Sequence, residues 1–184
     1  GFIDPDSYPD IVVGRGITKG LRNKILLNTY DPPKKALSFA LHDASSREGK
    51  TRALGLGRLD RDGLDDLVLA DEGSEPVALQ NTSLAGAPKL VPGVIKLAST
   101  GKTAVEDLLV VDVDADCDDD LVLARGDDVV VLTNDGGNNL SLPPGDRPTA
   151  GATTVAAVDV DGDRALDLIL AGAKTGASWL RQTK

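Results

Sequence analysis

Aromatic side chains are scarce in this sequence. Its 184 residues include no methionine, and aromatic residues make up 3% of the chain. A hydrophobic interior must therefore be built mainly from Val, Leu, Ile and Ala, and the hydrophobic content of 41% is enough for a buried core. Small aliphatic side chains favour thin, repetitive sheet packing over a large irregular interior.

Cysteine and histidine occur once each, as Cys117 and His42. A single cysteine excludes an internal disulfide framework. Any Ser/His/Asp or Cys/His catalytic set would have to use His42, which we interpret as a solvated or strand-edge residue. We therefore expect no enzymatic activity from this chain, although a longer parent protein could carry a catalytic neighbour.

Basic residues are outnumbered, since 29 Asp and Glu face 20 Lys and Arg and give a formal charge of −9. This is the wrong sign for a protein that binds a phosphate backbone, so we expect no nucleic-acid partner. No apolar run reaches the roughly 18 residues of a membrane span. The first residues, GFIDPDSYPD, lack the basic and apolar regions of a signal peptide, which could have been removed.

An Asp-rich segment recurs along the chain and each time leads into a short apolar strand. The four copies share an aspartate followed by an aliphatic residue: FIDPDSYPDIVV, RLDRDGLDDLVL, DVDADCDDDLVL and DVDGDRALDLIL. The aligned aspartates follow one another at 56, 54 and 47 residues, and they are Asp10, Asp66, Asp120 and Asp167. A spacing of this length is typical of one supersecondary unit.

Each unit reads as about four short antiparallel strands, and helical periodicity is absent. The strand after the anchor is followed by a second one, seen in KILLNT, PVALQNT, VVVLTN and ASWLRQT, and weaker stretches such as ALSFALHD and GVIKLAS fill some units. This pattern predicts an all-β protein, a β-propeller of four-stranded antiparallel blades with about four blades or a partial propeller in this chain. We expect a single repeat domain over residues 1–184, with approximate units 1–45, 46–98, 99–147 and 148–184, completed by or belonging to a larger propeller.

The last two Asp-rich segments carry carboxylates at the first, third, fifth and ninth positions. Alternate residues of a tightly coiled loop can point at one centre, and such an all-oxygen shell suits Ca²⁺. Seventh-position carbonyls could add one ligand each. The predicted ligands are Asp112, Asp114, Asp116, Asp118 and Asp120 in one segment, and Asp159, Asp161, Asp163, Ala165 and Asp167 in the other.

The first two segments lack the first carboxylate, because Phe2 and Arg58 stand there. Arg58 could act as an internal counter-ion in place of the metal. The predicted ligands are Asp4, Asp6, Tyr8 and Asp10, and Asp60, Asp62, Leu64 and Asp66, so that up to four Ca²⁺ are expected. An EF-hand is excluded, since its twelfth-position Glu is replaced by Leu in β-like runs. The alternative is that the aspartates only form hairpin turns.

The pattern D-x-D-x-D-G-x-x-D-L before an aliphatic strand resembles the FG-GAP or VCBS repeat family, known from integrin α-subunit propellers and many secreted bacterial proteins. It is carried by GFIDPDSYPDIVVG, DRDGLDDLVLA, DVDGDRALDLILAG and VLTNDGGNN. The resemblance covers essentially the whole chain in four units. It implies a calcium-stabilised propeller of about seven blades, of which this chain would be roughly half. Phe2, Arg58 and Cys117 depart from the family pattern at individual sites.

The resemblance implies a module for extracellular binding, adhesion or structural assembly, in an extracellular or periplasmic setting. The protein or glycan ligand is unknown, and self-association through end strands is a further possibility. The alternative is a lectin or carbohydrate-active enzyme whose site lies in loops or outside the chain. Arg125-Gly126-Asp127 spells an integrin-binding tripeptide, which we interpret as a chance turn. Asn81-Thr82-Ser83 and Asn139-Leu140-Ser141 are glycosylation sequons, relevant only in a eukaryotic secretory setting.

Overall fold

A computed structural model shows a chain built of β-strands. It describes residues 1–16, 20–143, 151–172 and 176–181, and for residues 45–47 the backbone only. Fifteen strands and no helix occur in these ranges, which confirms the all-β prediction. The described ranges accordingly hold no helix of the length and apolarity that crossing a membrane requires.

The first two sheets come from the first half of the chain and are antiparallel. The first has the order β1-β2-β3, with β1 (Ile11–Val13), β2 (Arg22–Asn28) and β3 (Phe39–Glu48). The second has the order β4-β5-β6-β7, with β4 (Thr51–Gly57), β5 (Asp66–Asp71), β6 (Val77–Asn81) and β7 (Leu90–Pro92). Every residue of β5 is buried, because both faces of this sheet are covered.

The third sheet has five strands and the fourth has three. The third has the order β8-β12-β11-β10-β9, with β8 (Lys96–Leu97), β9 (Asp107–Val111), β10 (Asp120–Ala124), β11 (Val129–Asn134) and β12 (Asn139–Ser141). The fourth has the order β13-β14-β15, with β13 (Thr154–Val158), β14 (Asp167–Gly172) and β15 (Gly176–Leu180). Of the four, the second is the four-stranded antiparallel sheet that the repeat pattern predicts.

One weak strand pairs in parallel, unlike the others. β8, which lies within the stretch GVIKLAS, pairs with β12 of the third sheet. The amide N–H groups of Lys96 and Ala98 donate to the carbonyl oxygens of Asn138 and Leu140, both at 2.8 Å. The edge of β12 offers these carbonyls, whereas the second sheet already ends on β7. Edge pairing of this kind depends on tertiary proximity, which strand propensity does not encode.

The four sheets stack face to face in chain order, and three apolar layers fill the spaces between them. Side chains alternate along each strand, so one strand contributes to two layers. The first layer joins Ile25 and Leu27 to Leu67 and Leu69, the second Val68 and Ala70 to Leu121 and Leu123, and the third Val122 and Ala124 to Leu168 and Leu170. Sheets stacked in this way are successive blades of a partial β-propeller, and we number them blades 1 to 4.

Candidate metal centres

Four loops that share a left-handed sixth residue precede β1, β5, β10 and β14, which we call the inner strands. We name them loop 1 (residues 2–10), loop 2 (58–66), loop 3 (112–120) and loop 4 (159–167). In each, the sixth residue is left-handed, with φ of 70° at Ser7, 89° at Gly63, 77° at Cys117 and 72° at Arg164. Three of these residues carry a Cβ, which L residues rarely accommodate in this region. Contacts within the loop, and not the conformational freedom of glycine, therefore hold these residues in the left-handed region.

The fifth-position carboxylate supplies one such contact. Its Oδ1 accepts a hydrogen bond from the amide N–H of the seventh residue in all four loops. These bonds are Tyr8 to Asp6 at 2.8 Å, Leu64 to Asp62 at 2.8 Å, Asp118 to Asp116 at 2.9 Å and Ala165 to Asp163 at 2.8 Å. The seventh residues, whose carbonyls were predicted as ligands, thus donate the same hydrogen bond in all four loops.

The ninth-position aspartate is a buried anchor. Its two oxygens accept backbone N–H groups from the second loop residue and, in loops 1 to 3, from an asparagine at the end of the next strand. The bonds are Ile3 and Asn28 to Asp10, Leu59 and Asn81 to Asp66, Val113 and Asn134 to Asp120, and Val160 to Asp167, all between 2.8 and 3.0 Å. Each anchor thereby ties its loop to the blade.

Burial also raises the pKa of two of these anchors. Desolvation is the main cause, opposed by the backbone N–H donors, and it raises the pKa of Asp66 to about 7 and that of Asp120 to about 6. Neighbouring loop carboxylates add to the rise. Both aspartates are fully buried, so the ionised form depends on nearby positive charge or on hydrogen bonds.

Loop 3 brings three carboxylates to one point. Oxygen atoms of Asp112, Asp114 and Asp116 lie within 4.8 Å of one another, while Asp120 is outside this group. Asp112 is held by the amide N–H groups of Ala115 at 2.7 Å and Cys117 at 3.0 Å. Burial, followed by the charge of Asp116, raises the pKa of Asp114. A divalent cation at this point would relieve the crowding of negative charge.

Loop 4 forms a second group from Asp159, Asp161 and Asp167, again within 4.8 Å, and Asp163 is not part of it. Asp159 accepts the amide N–H groups of Gly162 at 2.7 Å and Arg164 at 2.9 Å, as its counterpart does in loop 3. A difference is the ion pair between Arg181 Nη2 and Asp161 Oδ2 at 2.6 Å. Loop 4 has every carboxylate of the sequence pattern, yet Asp161 already forms an ion pair with Arg181.

Loops 1 and 2 hold no group of three such carboxylates among the described residues. Their third-position carboxylates are engaged elsewhere: Asp4 accepts the Gly86 N–H and Asp60 accepts Gln80 Nε2, both at 2.7 Å. Arg58 forms no ion pair within the described residues, and its backbone N–H donates to Asp119 at 2.7 Å. The structure therefore does not support the counter-ion role that the sequence suggested for Arg58.

The sequence did not predict the polar contacts between neighbouring blades. Asn81 Nδ2 donates to the Ile3 carbonyl at 2.9 Å and Asn134 Nδ2 to the Leu59 carbonyl at 3.0 Å. Each also donates to the carbonyl of the eighth residue of its own loop. The signal was an asparagine ending the second strand, in VALQN and VVVLTN.

A charged pair also crosses between loops 2 and 3. Arg61 Nε and Nη2 donate to the two oxygens of Asp118 at 3.0 and 2.8 Å. This hydrogen bonding lowers the pKa of the Asp118 carboxyl, which is well covered while Arg61 is exposed. The side chain of Asp118 is thus used between blades, in keeping with a ligand role for its carbonyl alone.

Two short motifs are not displayed by the fold. Arg125 of the Arg-Gly-Asp tripeptide is 7% exposed, and its guanidinium donates to the Thr100 carbonyl and to the Asp128 carboxylate. Asn81 of the first glycosylation sequon is fully buried, whereas Asn139 of the second is exposed. Neither Arg125 nor Asn81 is presented to a partner or a modifying enzyme in the folded chain.

Repeated blades with Asp-rich loops define a class of repeat protein. Residues 112–170, from the start of loop 3 into β14, match the family of FG-GAP-like repeats. This part of the chain, which contains both carboxylate groups, is similar to an FG-GAP-like repeat. No curated protein matches the sequence.

Proposed function

We propose that the chain is a calcium-binding β-propeller repeat module in which the ions are structural. The observation that carries this proposal is the convergence of three carboxylates in loop 3 and again in loop 4. Donors that are all carboxylate oxygens suit a hard cation, and flexible coordination favours Ca²⁺ over Mg²⁺. Loop 3 is the stronger candidate, because Arg181 faces Asp161 in loop 4.

The ion would act on the connection between two strands of one blade. Loop 3 joins β9 to β10 and loop 4 joins β13 to β14, so fixing the loop fixes the register of the inner strands. Asp112 and Asp159 would hold the ion while their N–H donors keep the loop coiled. The stability gained on binding would supplement the packing of small, aromatic-poor sheets.

We place the protein in an extracellular or periplasmic setting, where calcium modules commonly bind at about 10⁻⁴–10⁻³ M. Residues 1–184 would form a single repeat domain, acting in binding, adhesion or assembly without catalysis. The alternative of a lectin or carbohydrate-active propeller has one observation in its favour. A cleft of ≈ 440 Å³ opens between loops 1 and 2, with half-exposed Phe2 and the side chains of Arg58 and Asp62 along it.

Isothermal titration of calcium into chelator-treated protein tests the metal proposal. We expect saturable binding with the loop 3 site filled first, weaker competition by Mg²⁺, and a higher melting temperature in calcium. At a free calcium concentration 100 times the Kd, the stabilisation should be about 2.7 kcal/mol. Absence of uptake together with an unchanged melting temperature would contradict the proposal.

A glycan array tests the alternative function, that of a lectin. Binding that is lost in Phe2→Ala but kept in Phe39→Ala, a similarly exposed aromatic change outside the cleft, would favour a lectin. No glycan binding by the calcium-loaded protein would leave the structural module as the function.

A further inference from the structure

One position of the second strand lies opposite the anchor aspartate in every blade. The first residue after each anchor pairs with a leucine of the second strand: Ile11 with Leu26, Leu67 with Leu79, Leu121 with Leu132 and Leu168 with Leu180. In an antiparallel pair, the next residue of the second strand then stands opposite the anchor. We call it the facing residue, and in blades 1 to 4 it is Leu27, Gln80, Thr133 and Arg181.

In two blades the facing residue contacts the same carboxylate of its loop. Gln80 Nε2 donates to Oδ2 of Asp60 at 2.7 Å. Arg181 Nη2 lies 2.6 Å from Oδ2 of Asp161. Asp60 and Asp161 both hold the third position of their loops. The contact therefore recurs with two different donors, a neutral amide in blade 2 and a charged guanidinium in blade 4.

Blade 3 has a facing residue that leaves the third carboxylate open. Thr133 is shorter than Gln or Arg, and no hydrogen bond joins its hydroxyl to Asp114 within the described ranges. Asp114 Oδ1 accepts the Asp116 N–H at 3.3 Å, whereas its Oδ2 has no N–H donor among the described residues. Asp114 is exposed and belongs to the carboxylate group of loop 3, while Asp60 is 8% exposed and belongs to no such group in the described chain.

Blade 1 takes its donor from a neighbouring turn. Leu27 is fully buried and has no polar side-chain atom. The Oδ2 atom of Asp4, the third residue of loop 1, accepts the backbone N–H of Gly86 at 2.7 Å, from the turn between β6 and β7. In loops 1 and 2 a neutral donor of the protein thus occupies the oxygen that stays open in loop 3.

We propose that the facing residue sets how strongly each Asp-rich loop binds calcium, by competing with the ion for the third-position carboxylate. This inference rests on the proposed calcium function and adds the residue that distinguishes one loop from another. An N–H donor uses an oxygen that the cation would need, and a charged donor also repels the cation. Loop 3, with threonine, would bind more tightly than loop 4, with arginine, while loop 2 folds without an ion.

Substitution of Thr133 tests the inference in a loop that keeps all its carboxylates. Thr133→Gln copies blade 2 and Thr133→Arg copies blade 4, and calorimetric titration of calcium measures the loop 3 site. The Gln variant should weaken this site by about two- to tenfold, the value of one hydrogen bond, and the Arg variant by more. Thr133→Met is the matched control, since methionine has about the length of glutamine and no N–H donor. It should bind calcium as the wild type does.

Hydrogen exchange in chelator supplies a readout that does not depend on calcium. The amide N–H groups of Asp116 and Cys117 donate to Asp114 and Asp112 in loop 3. A glutamine that holds Asp114 should slow the exchange of these amides relative to wild type, whereas methionine should not. Faster exchange in Thr133→Gln would mean that the substitution disrupts the loop, and would contradict competition as the cause of weaker binding.

Transfer of the site to loop 2 is the converse experiment. Arg58→Asp combined with Gln80→Thr gives loop 2 the carboxylate positions and the facing residue of loop 3. The double variant should bind one calcium ion more than wild type. Arg58→Asp alone, which keeps the Gln80 donor, should bind at the added site about two- to tenfold more weakly.

The outcomes separate this inference from the proposed function. Equal weakening by Thr133→Gln and Thr133→Met would overturn the inference, and so would wild-type affinity in both the Gln and the Arg variants. In either case, calcium uptake by the wild-type protein would leave the proposed function standing. A wild-type protein that takes up no calcium would overturn the proposed function and the inference together.

Discussion

The side-chain amide of Asn134 donates to the carbonyl oxygen of Leu59 across 75 positions of sequence, at a distance of 3.0 Å. The same amide donates to the Asp119 carbonyl at 3.0 Å, and its oxygen accepts the Gly136 N–H at 3.1 Å. One buried side chain thereby connects loop 2 of blade 2 with loop 3 of blade 3. Apolar packing holds the two blades together, and this residue sets how they are aligned.

Replacing Asn134 by alanine should destabilise the protein. The substitution leaves the carbonyl groups of Leu59 and Asp119 without their donor, at a cost of about 1–3 kcal/mol. Chemical denaturation monitored by circular dichroism measures it. Asn139→Ala, an exposed change in β12, serves as control and should stay within about 0.5 kcal/mol of wild type. Equal effects of the two substitutions would refute the role given to Asn134.

Asp112→Asn and Asp62→Asn should affect calcium binding unequally. Asp112 belongs to a group of three carboxylates, while Asp62 belongs to no such group in the described chain. Removing one charged ligand from loop 3 should weaken the first calorimetric site by about tenfold or more. Asp62→Asn should leave that site unchanged, and Asp127→Asn controls for loss of an exposed charge outside the loops. A similar weakening by all three would mean that the protein binds calcium by net charge.

Arg181→Gln should strengthen calcium binding in loop 4. The guanidinium lies 2.6 Å from Asp161 and competes with a cation for that carboxylate. Since an exposed charge pair is worth about 0.2–1 kcal/mol, the affinity should rise by about 1.4- to fivefold. Arg164→Gln removes the same charge from an exposed side chain of loop 4 that makes no ion pair with the described residues, and should have a smaller effect. Calcium titration of the two variants, with Asp112→Asn added to weaken the loop 3 site, compares them directly.

The calcium-free protein should lose stability as the pH rises from 5 to 8. The pKa of Asp66 is raised to about 7 and that of Asp120 to about 6, so the folded chain binds more protons than the unfolded chain in this window. Their stabilising contribution is complete below pH of about 4 and is lost as the pH rises through about 6 and 7. The lowered pKa of Asp118 acts only at more acidic pH.

Thermal melts in chelator across this range, repeated in calcium, measure the effect. The melting temperature should fall by several degrees in chelator and fall less in calcium, because a bound cation favours the ionised carboxylates. A melting temperature in chelator that rises with pH would show that other groups control stability.

Much of the fold follows from local pattern. The anchor aspartates and the aliphatic runs after them predicted β5, β10 and β14, because alternating apolar residues bounded by turn residues form strands. The same kind of pattern predicted the second strands β2, β6, β11 and β15. The pattern did not indicate that β8, within the stretch GVIKLAS, pairs with β12. A strand of two residues is too short for its hydrophobic pattern to indicate which sheet it joins.

The candidate site was predictable in part. Spacing brought Asp112, Asp114 and Asp116 together, since side chains two residues apart in a coiled loop face one centre. Spacing did not reveal that Arg181 would lie against Asp161. That contact joins the end of β15 to loop 4, and its geometry depends on how β14 and β15 pair.

By itself, the sequence determined that this is an all-β repeat protein with Asp-rich loops, because strand alternation and turn chemistry act over a few neighbouring residues. Only the tertiary structure decided which loops gather three carboxylates and which aspartates become buried anchors. Those outcomes depend on residues brought together from distant positions, as Asn134 and Leu59 are. Burial and charge at such contacts are properties of the stacked blades, and no single repeat encodes them.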